Sequence, residues 1–218
     1  MKRQSPKYDT SGFIEAQHEP GSRGQVLKNK LGIKSKREME RIEWEAQIKA
    51  LSEIAGKYGK KHRFTAKDIC KIHKVWLGDI YEWAGKYRQV NVSKGDFQFA
   101  ASVYVPRLMD DLEKGPLKKF TPCNFKAVEE TAKAIATVHV ELVLIHPFRE
   151  GNGRVARLLA DLMAMQADYP PLDYSDLEKG QWKKYIAAIH AGLSRDYEPM
   201  TRLFTGLIEK ASSLRKGK

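Results

Sequence analysis

Twelve consecutive residues, His146-Pro147-Phe148-Arg149-Glu150-Gly151-Asn152-Gly153-Arg154-Val155-Ala156-Arg157, bring an imidazole, a carboxylate, two glycines and two guanidiniums into one turn-to-helix segment. Gly151 and Gly153 bracket a point where backbone can approach a ligand closely. The run Val155 to Met163 has the apolar periodicity of a helix that starts just after them. Amides at a helix start lack partners within the helix and favour an anion. Arg154 and Arg157, three apart on that helix, point to one side and suit separate phosphoryl groups, so a polyphosphate fits better than a single phosphate. His146 precedes the turn, where a nearly neutral imidazole can take a proton from an incoming hydroxyl. Glu150 adds a carboxylate beside the same amides, which makes sense against phosphate if a divalent cation bridges them.

Taken singly, these features are weak, because a Gly-x-Gly before a helix is common and a histidine beside a proline is usually a turn or core residue. Their joint order and spacing carry the reading. The other histidines are read as packed groups. His139 lies in the apolar-periodic run Ala132, Ile135, Ala136, Val138, Leu142, and His62, His73 and His190 receive the same assignment. No Cys/His spacing indicates zinc, and Cys70 and Cys123 read as isolated reduced thiols.

The elements that must position this segment are mostly helical. Ser35-x-x-Glu38 opens an amphipathic run that Gly56 stops, and Thr65-x-x-Asp68 opens another through Ile69, Ile72, Trp76 and Leu77. Further helices are expected at 106–113, 125–144, 155–166, 177–193 and 199–214, with Ser175-x-x-Glu178 capping one of them. Between Gly85 and Phe99 the period changes. Gln89 to Val92 alternates, Ser93-Lys94-Gly95-Asp96 turns, and Phe97-Gln98-Phe99 alternates back, which predicts one β-hairpin.

The chain has 218 residues with 42% hydrophobic content, enough for one sizeable core and a small N-terminal addition. No stretch approaches the about eighteen apolar residues of a membrane span, and Met1 to Pro6 lacks the apolar run of a signal peptide, so a cytoplasmic protein with no membrane role is expected. Two cysteines fit a reducing compartment. The net charge of +12 invites an acidic partner, yet its lysines and arginines are dispersed without a groove-sized cluster or interleaved aromatics. Solvated faces and attraction to a nucleotide or an acidic target account for it better than nucleic-acid binding. Residues 215–218 form a basic tail.

The twelve-residue segment resembles the signature of the Fic family, His-Pro-Phe-x-acid-Gly-Asn-Gly-Arg-x-x-Arg, at every fixed position. Asp79 to Arg88 followed by Val90 to Gly95 is similar to the stretch leading into that family's target-binding flap, and the likeness spans about residues 65–200. The resemblance implies an all-α Fic fold with a β-hairpin flap, and a division into an N-terminal helical element over 1–56, a catalytic domain over 57–214 and the tail. It implies an enzyme, a protein adenylyltransferase that moves AMP from ATP to a Ser, Thr or Tyr hydroxyl of a target protein and releases pyrophosphate. Position by position, His146 would be the general base and Glu150 would hold Mg²⁺ on the α- and β-phosphates. Asn152 and the amides around Gly151 and Gly153 would bind the α-phosphate, and Arg154 and Arg157 the β- and γ-phosphates. Lys94, Gly95, Phe97 and Phe99 would form the flap that lines up a target segment by strand pairing.

A sister branch resembling the Doc toxin carries lysine at the second glycine and phosphorylates instead, so the intact Gly153 favours nucleotidyl transfer. Other nucleotidyl or phosphoryl transfer, or a basic binding protein that keeps the fold without the activity, are the alternatives. Many relatives are restrained by a helix with the pattern Ser/Thr-x-x-x-Glu-Gly/Asn whose glutamate pairs with the second arginine. Ser11 to Ala16 is similar to it, with Ala16 at the Gly/Asn position, so Ser11 and Glu15 are the inhibitory candidates and Arg157 the expected partner of Glu15. Restraint by a separate antitoxin protein, and delivery into a host cell, stay open.

Overall fold

In the computed structural model, which describes residues 12–216, the expected capping signals set the first two helices. Helix α1 spans Lys36–Ala55, with the Ser35 side chain accepting from the Glu38 amide at 3.4 Å and Gly56 closing the other end. Helix α2 spans Ala66–Leu77 and has a reciprocal cap, the Asp68 amide donating to Thr65 Oγ1 at 3.2 Å and the Thr65 amide donating to Asp68 Oδ2 at 3.1 Å. The hairpin follows and is shorter than its sequence pattern. Strand β1 is Ser93–Lys94 and β2 is Phe97–Gln98, paired antiparallel with Lys94 opposite Phe97. Ser93 and Lys94 therefore belong to the ladder rather than the turn, which falls on Gly95 (φ 57°) and Asp96. Gln89 to Asn91 does not form a strand because other partners take its polar groups: Glu15 takes the Gln89 and Val90 amides and the Ser102 amide takes Asn91 Oδ1, while Val92 O still accepts from the Phe99 amide at 3.3 Å.

Helix α3 spans Val105–Leu112 and widens into a π-helical segment, Glu113–Leu117, before the short α4, Lys118–Phe120. Pro116 lies inside that segment; it has no amide to donate and its ring crowds the preceding turn, which a wider turn accommodates. Helix α5, Val128–Ile145, is buried on most of its surface and packs against α6, Asn152–Gln166. Helix α6 begins three residues earlier than the apolar pattern indicated, on Asn152 itself. The single helix expected over 177–193 is two, α7 (Ser175–Lys179) and α8 (Trp182–Ala191), broken at Gly180, with a 3₁₀ turn at Gly192–Ser194. Ser175 is the first residue of α7 rather than its cap, and its amide donates instead to Asp173 Oδ1 at 3.0 Å. Helix α9, Glu198–Lys216, runs along α5 and closes the bundle.

Ahead of α1 the described chain is largely non-helical. Residues 12–34 hold one 3₁₀ turn, Ile14–Ala16, and an isolated bridge between His18 and Leu27. Gly21, Gly24 and Gly32 all adopt positive φ there, and Pro20 interrupts any helical ladder, so the composition of the segment opposes the helix expected from the resemblance. Val26, Met39 and Ile54 nonetheless share one apolar cluster with Ile72, Phe148 and Phe204. No helix among the described residues is long and apolar enough to cross a membrane.

Candidate active site

His146 ends α5 in the left-handed region, with φ 53° and ψ 58°, while its amide still donates to Leu142 O at 3.1 Å. That conformation costs a non-glycine residue about 1 kcal/mol or more and turns the chain sharply into the loop before α6. The ring is tied down: Nδ1 donates to Val143 O at 3.0 Å, an assignment that follows from the carbonyl partner, and Nε2 is left as the acceptor. Phe99 covers one face of the imidazole at 3.6 Å between centroids. Burial, with Arg88 and Lys94 nearby, pushes the histidine down to about 4, so near neutral pH it is an uncharged base.

The loop from 147 to 151 is closed by Asn152. Its Oδ1 accepts from the Phe148 amide and its Nδ2 donates to Phe148 O, both at 2.8 Å. One N–H of the side chain and its oxygen are thereby engaged inside the loop, which fixes the loop's shape, while the second N–H of Nδ2 has no part in those two bonds. Phe148 is fully buried and stacks on His73, which accepts from the Gly85 amide at 2.7 Å and donates to Glu150 O at 3.1 Å. Gly151 has φ 82°, and a Cβ there would lie 2.6 Å from the Trp76 ring. A Cβ on Gly153 would meet nothing within 4 Å, so the first turn of α6 is open on that side.

The two arginines are held differently. Arg154 lies over the Trp76 ring at 4.5 Å and donates from Nη1 to Glu43 Oε2 at 2.7 Å, with Nη2 3.4 Å from Glu150 Oε1. Glu43 in turn accepts from the Tyr81 hydroxyl at 2.7 Å. Arg157 sits 5.7 Å from the Tyr174 ring centroid, and the Tyr174 hydroxyl donates to Asp161 Oδ1 at 3.1 Å. Glu43, and the site role of Trp76, escaped the sequence reading. Glu43 sits at i+4 from Met39 on the buried stripe of α1, and an acidic residue on an apolar stripe was the available signal.

These groups border one cleft of about 830 Å³. His146, Glu150, Gly151, Asn152, Gly153, Arg154 and Arg157 form its floor, and Lys94, Gly95, Phe97 and Phe99 of the hairpin form its roof. The structure thus brings all eleven of these predicted positions together. Helix α8 supplies the remaining wall with Trp182, Tyr185, Ile186, Ile189 and His190. The hairpin closes on that wall through Phe97 stacked on His190 at 4.6 Å and Lys94 Nζ over the Trp182 ring at 5.1 Å. Four cationic side chains, Lys94, Arg149, Arg154 and Arg157, outnumber the two carboxylates, Asp96 and Glu150, so the cleft suits a polyanion. Among the described residues no three His, Cys, Asp or Glu side chains group to hold a metal ion. Glu150, half-exposed at the cleft and beside the α6 amides, fits the other mode, in which Mg²⁺ is shared between one carboxylate and substrate phosphates.

Glu15 stands elsewhere. Its Oε1 accepts from the Gln89 and Val90 amides, and among the described residues no ion pair joins it to Arg157, so the expected pairing is not present in this structure. Ser11 lies outside the described residues.

A Fic/DOC family model matches residues 63–164. Among known proteins, the chain is 32% identical to protein adenylyltransferase VbhT of Bartonella schoenbuchensis, over 79% of this chain and 35% of that one. It is 27% identical to an Escherichia coli K12 protein named probable protein adenylyltransferase Fic, over 85% of this chain and 89% of that one. Among solved structures, the BepC protein of Bartonella tribocorum, a VirB-translocated effector with bound AMPPNP, superposes with TM-score 0.68 at 25% identity, over 83% of this chain and 91% of that one. The chain therefore spans about a third of the length of the first relative and most of the second.

Proposed function

Residues 63–164 belong to the Fic/DOC family, and from that premise we propose that the chain transfers AMP from ATP to a Ser, Thr or Tyr hydroxyl on another protein. The observation that carries the proposal is the pairing of a neutral, buried imidazole whose free nitrogen borders the cleft with an open helix start a few residues on. His146 Nε2 accepts the hydroxyl proton as the oxygen attacks the α-phosphorus, and the bond from that phosphorus to the bridging oxygen breaks. Pyrophosphate leaves with the electron pair, and the proton stays on the imidazole until solvent removes it. Amides at the start of α6 bind the α-phosphate, while Arg154 and Arg157 take the outer phosphates and stabilise the charge that develops there.

Glu150 would hold Mg²⁺ against the phosphates, and the ion would supply charge neutralisation there. The hairpin orients a segment of the target over the cleft, its exposed β1 edge offering main-chain partners. Names of relatives, the AMPPNP-bound neighbour and the four cationic side chains of the cleft support this reading.

Parallel incubations with ATP labelled at the α- or the γ-phosphorus test it. Label from the α-position on an acceptor protein, with pyrophosphate released, is the expected result. Protein-bound label from the γ-position, with ADP as product, would replace adenylyl transfer by phosphoryl transfer.

A further inference from the structure

Glu15 is 5% exposed and touches both the entry to the flap and the loop after His146. Its Oε1 accepts from the Gln89 amide at 2.5 Å and the Val90 amide at 3.0 Å, just where the chain enters the flap. Its own carbonyl oxygen accepts from Arg149 Nε at 2.8 Å, inside the loop that follows His146. Arg88 completes the bracket: its amide donates to Pro147 O at 2.8 Å, Nε to His146 O at 2.6 Å, Nη1 to Val90 O at 2.8 Å, and Nη2 to Ala100 O on the return side of the hairpin. All of those side-chain partners are carbonyl dipoles, while the Arg88 guanidinium is buried and carries a full charge. Glu15 is the anion that offsets it.

The hairpin contributes only two residue pairs of its own, and its far end rests on ring contacts with His146, Trp182 and His190, so its base is set by the bonds to Glu15 and Arg88. We propose that Glu15 is a positioning residue that clasps the base of the flap to the His146 loop, so that the target hydroxyl and the imidazole meet in register. This rests on the adenylyl-transfer reading and gives Glu15 the opposite sign to a restraint: its loss slows transfer.

Glu15→Ala, Glu15→Asp and Glu15→Gln are compared with the parent chain in three measurements: AMP transfer to a protein acceptor, ATP affinity by calorimetry, and hydrogen exchange at the Gln89 and Val90 amides. Glu15→Ala is expected to lose about 100-fold in kcat while ATP affinity moves by less than about threefold, because misplacement affects the acceptor side. Both amides exchange faster in that variant. Glu15→Gln keeps an acceptor oxygen on the two amides but removes the charge that offsets Arg88, so it recovers part of the rate and slows exchange at both amides relative to Glu15→Ala. Glu15→Asp keeps the charge and loses the reach; it behaves as the alanine variant does and carries the test should that one fail to fold. Transfer by Glu15→Ala at or above the parent rate, with unchanged exchange at the two amides, overturns the proposal. Absence of AMP transfer by the parent chain on any acceptor would sink the functional reading alone, since exchange at Gln89 and Val90 still reports whether Glu15 holds the flap.

Discussion

Glu43 and Arg154, 111 residues apart in sequence, meet through a 2.7 Å bond from Nη1 to Oε2. The carboxylate comes from α1, outside the family-matched stretch, yet it holds a motif arginine whose guanidinium carbon lies 4.5 Å from the Trp76 ring centroid. Glu43 also accepts from Tyr81, so its removal strands two donors at once. Glu43→Ala is expected to cost about 2 kcal/mol, less than a fully buried pair because Arg154 keeps some contact with water, and to lower Tm by about 6 °C. The loosened arginine should raise KM for ATP. A double-mutant cycle with Arg154→Ala measures the coupling; a value near zero would mean the contact positions nothing.

The two motif glycines should respond in opposite ways. Gly151→Ala combines a left-handed backbone with a collision against Trp76 at 2.6 Å, for a loss of about 3 kcal/mol. Gly153→Ala has free space and ordinary helical backbone, so Tm should hold or rise by a degree or two, as expected for replacing a helical glycine. Its methyl group occupies the space a phosphate needs, so AMP transfer should fall by at least about tenfold, and calorimetric ATP affinity with it. Unchanged ATP affinity in Gly153→Ala would remove the open helix start from the binding site.

Much of this site was legible because its chemistry is local. The segment from His146 to Arg157 places its groups within one turn and one helix start, and local rules of glycine, capping and periodicity suffice there. The caps Ser35 and Thr65 were readable for the same reason. Contacts made across long separations were not. Glu43 on Arg154, Arg88 on the His146 carbonyl and Glu15 on the flap amides are tertiary choices that no spacing along the chain announces. Asn152 shows the limit even inside the motif, since no spacing rule announces that its side chain also closes the loop on Phe148. The break between α7 and α8 hinged on Gly180, whose low helix propensity the surrounding apolar pattern concealed.

Acid should destabilise the fold earlier than its carboxylates alone would. Burial pushes His73, His139 and His146 from 6.5 down to about 4. Between those values the unfolded chain binds protons that the folded chain excludes, so stability is fully present above about 6.5 and falls as pH drops toward 4. Asp161 works against them: burial raises it from 3.8 to about 7, so over the same window it holds a proton in the folded state and stabilises as pH falls. Three groups against one leave the net loss on the acid side. Chemical denaturation at pH 7 and pH 5 checks the sign, and equal or greater stability at pH 5 would contradict the burial of these imidazoles.

Phe99 offers a sharper test of the base, since it covers the His146 ring at 3.6 Å and keeps water from that face. Burial is the main cause of the low proton affinity of His146, ahead of the charges of Arg88 and Lys94. In the parent chain kcat/KM for AMP transfer should therefore stay flat from pH 8 down to about 5, because the free imidazole remains neutral throughout. Phe99→Ala admits water, which stabilises the imidazolium, so the acidic limb should move up toward the ordinary 6.5 and the rate at pH 6 should fall relative to pH 8. Phe99→Leu refills the space with apolar atoms and should restore most of the parent profile. Loss of flap contact with the acceptor would instead lower kcat/KM by the same factor at every pH. A uniform drop in Phe99→Ala would thus assign Phe99 to acceptor binding alone, and a limb that fails to move would remove this face of the ring from the control of His146.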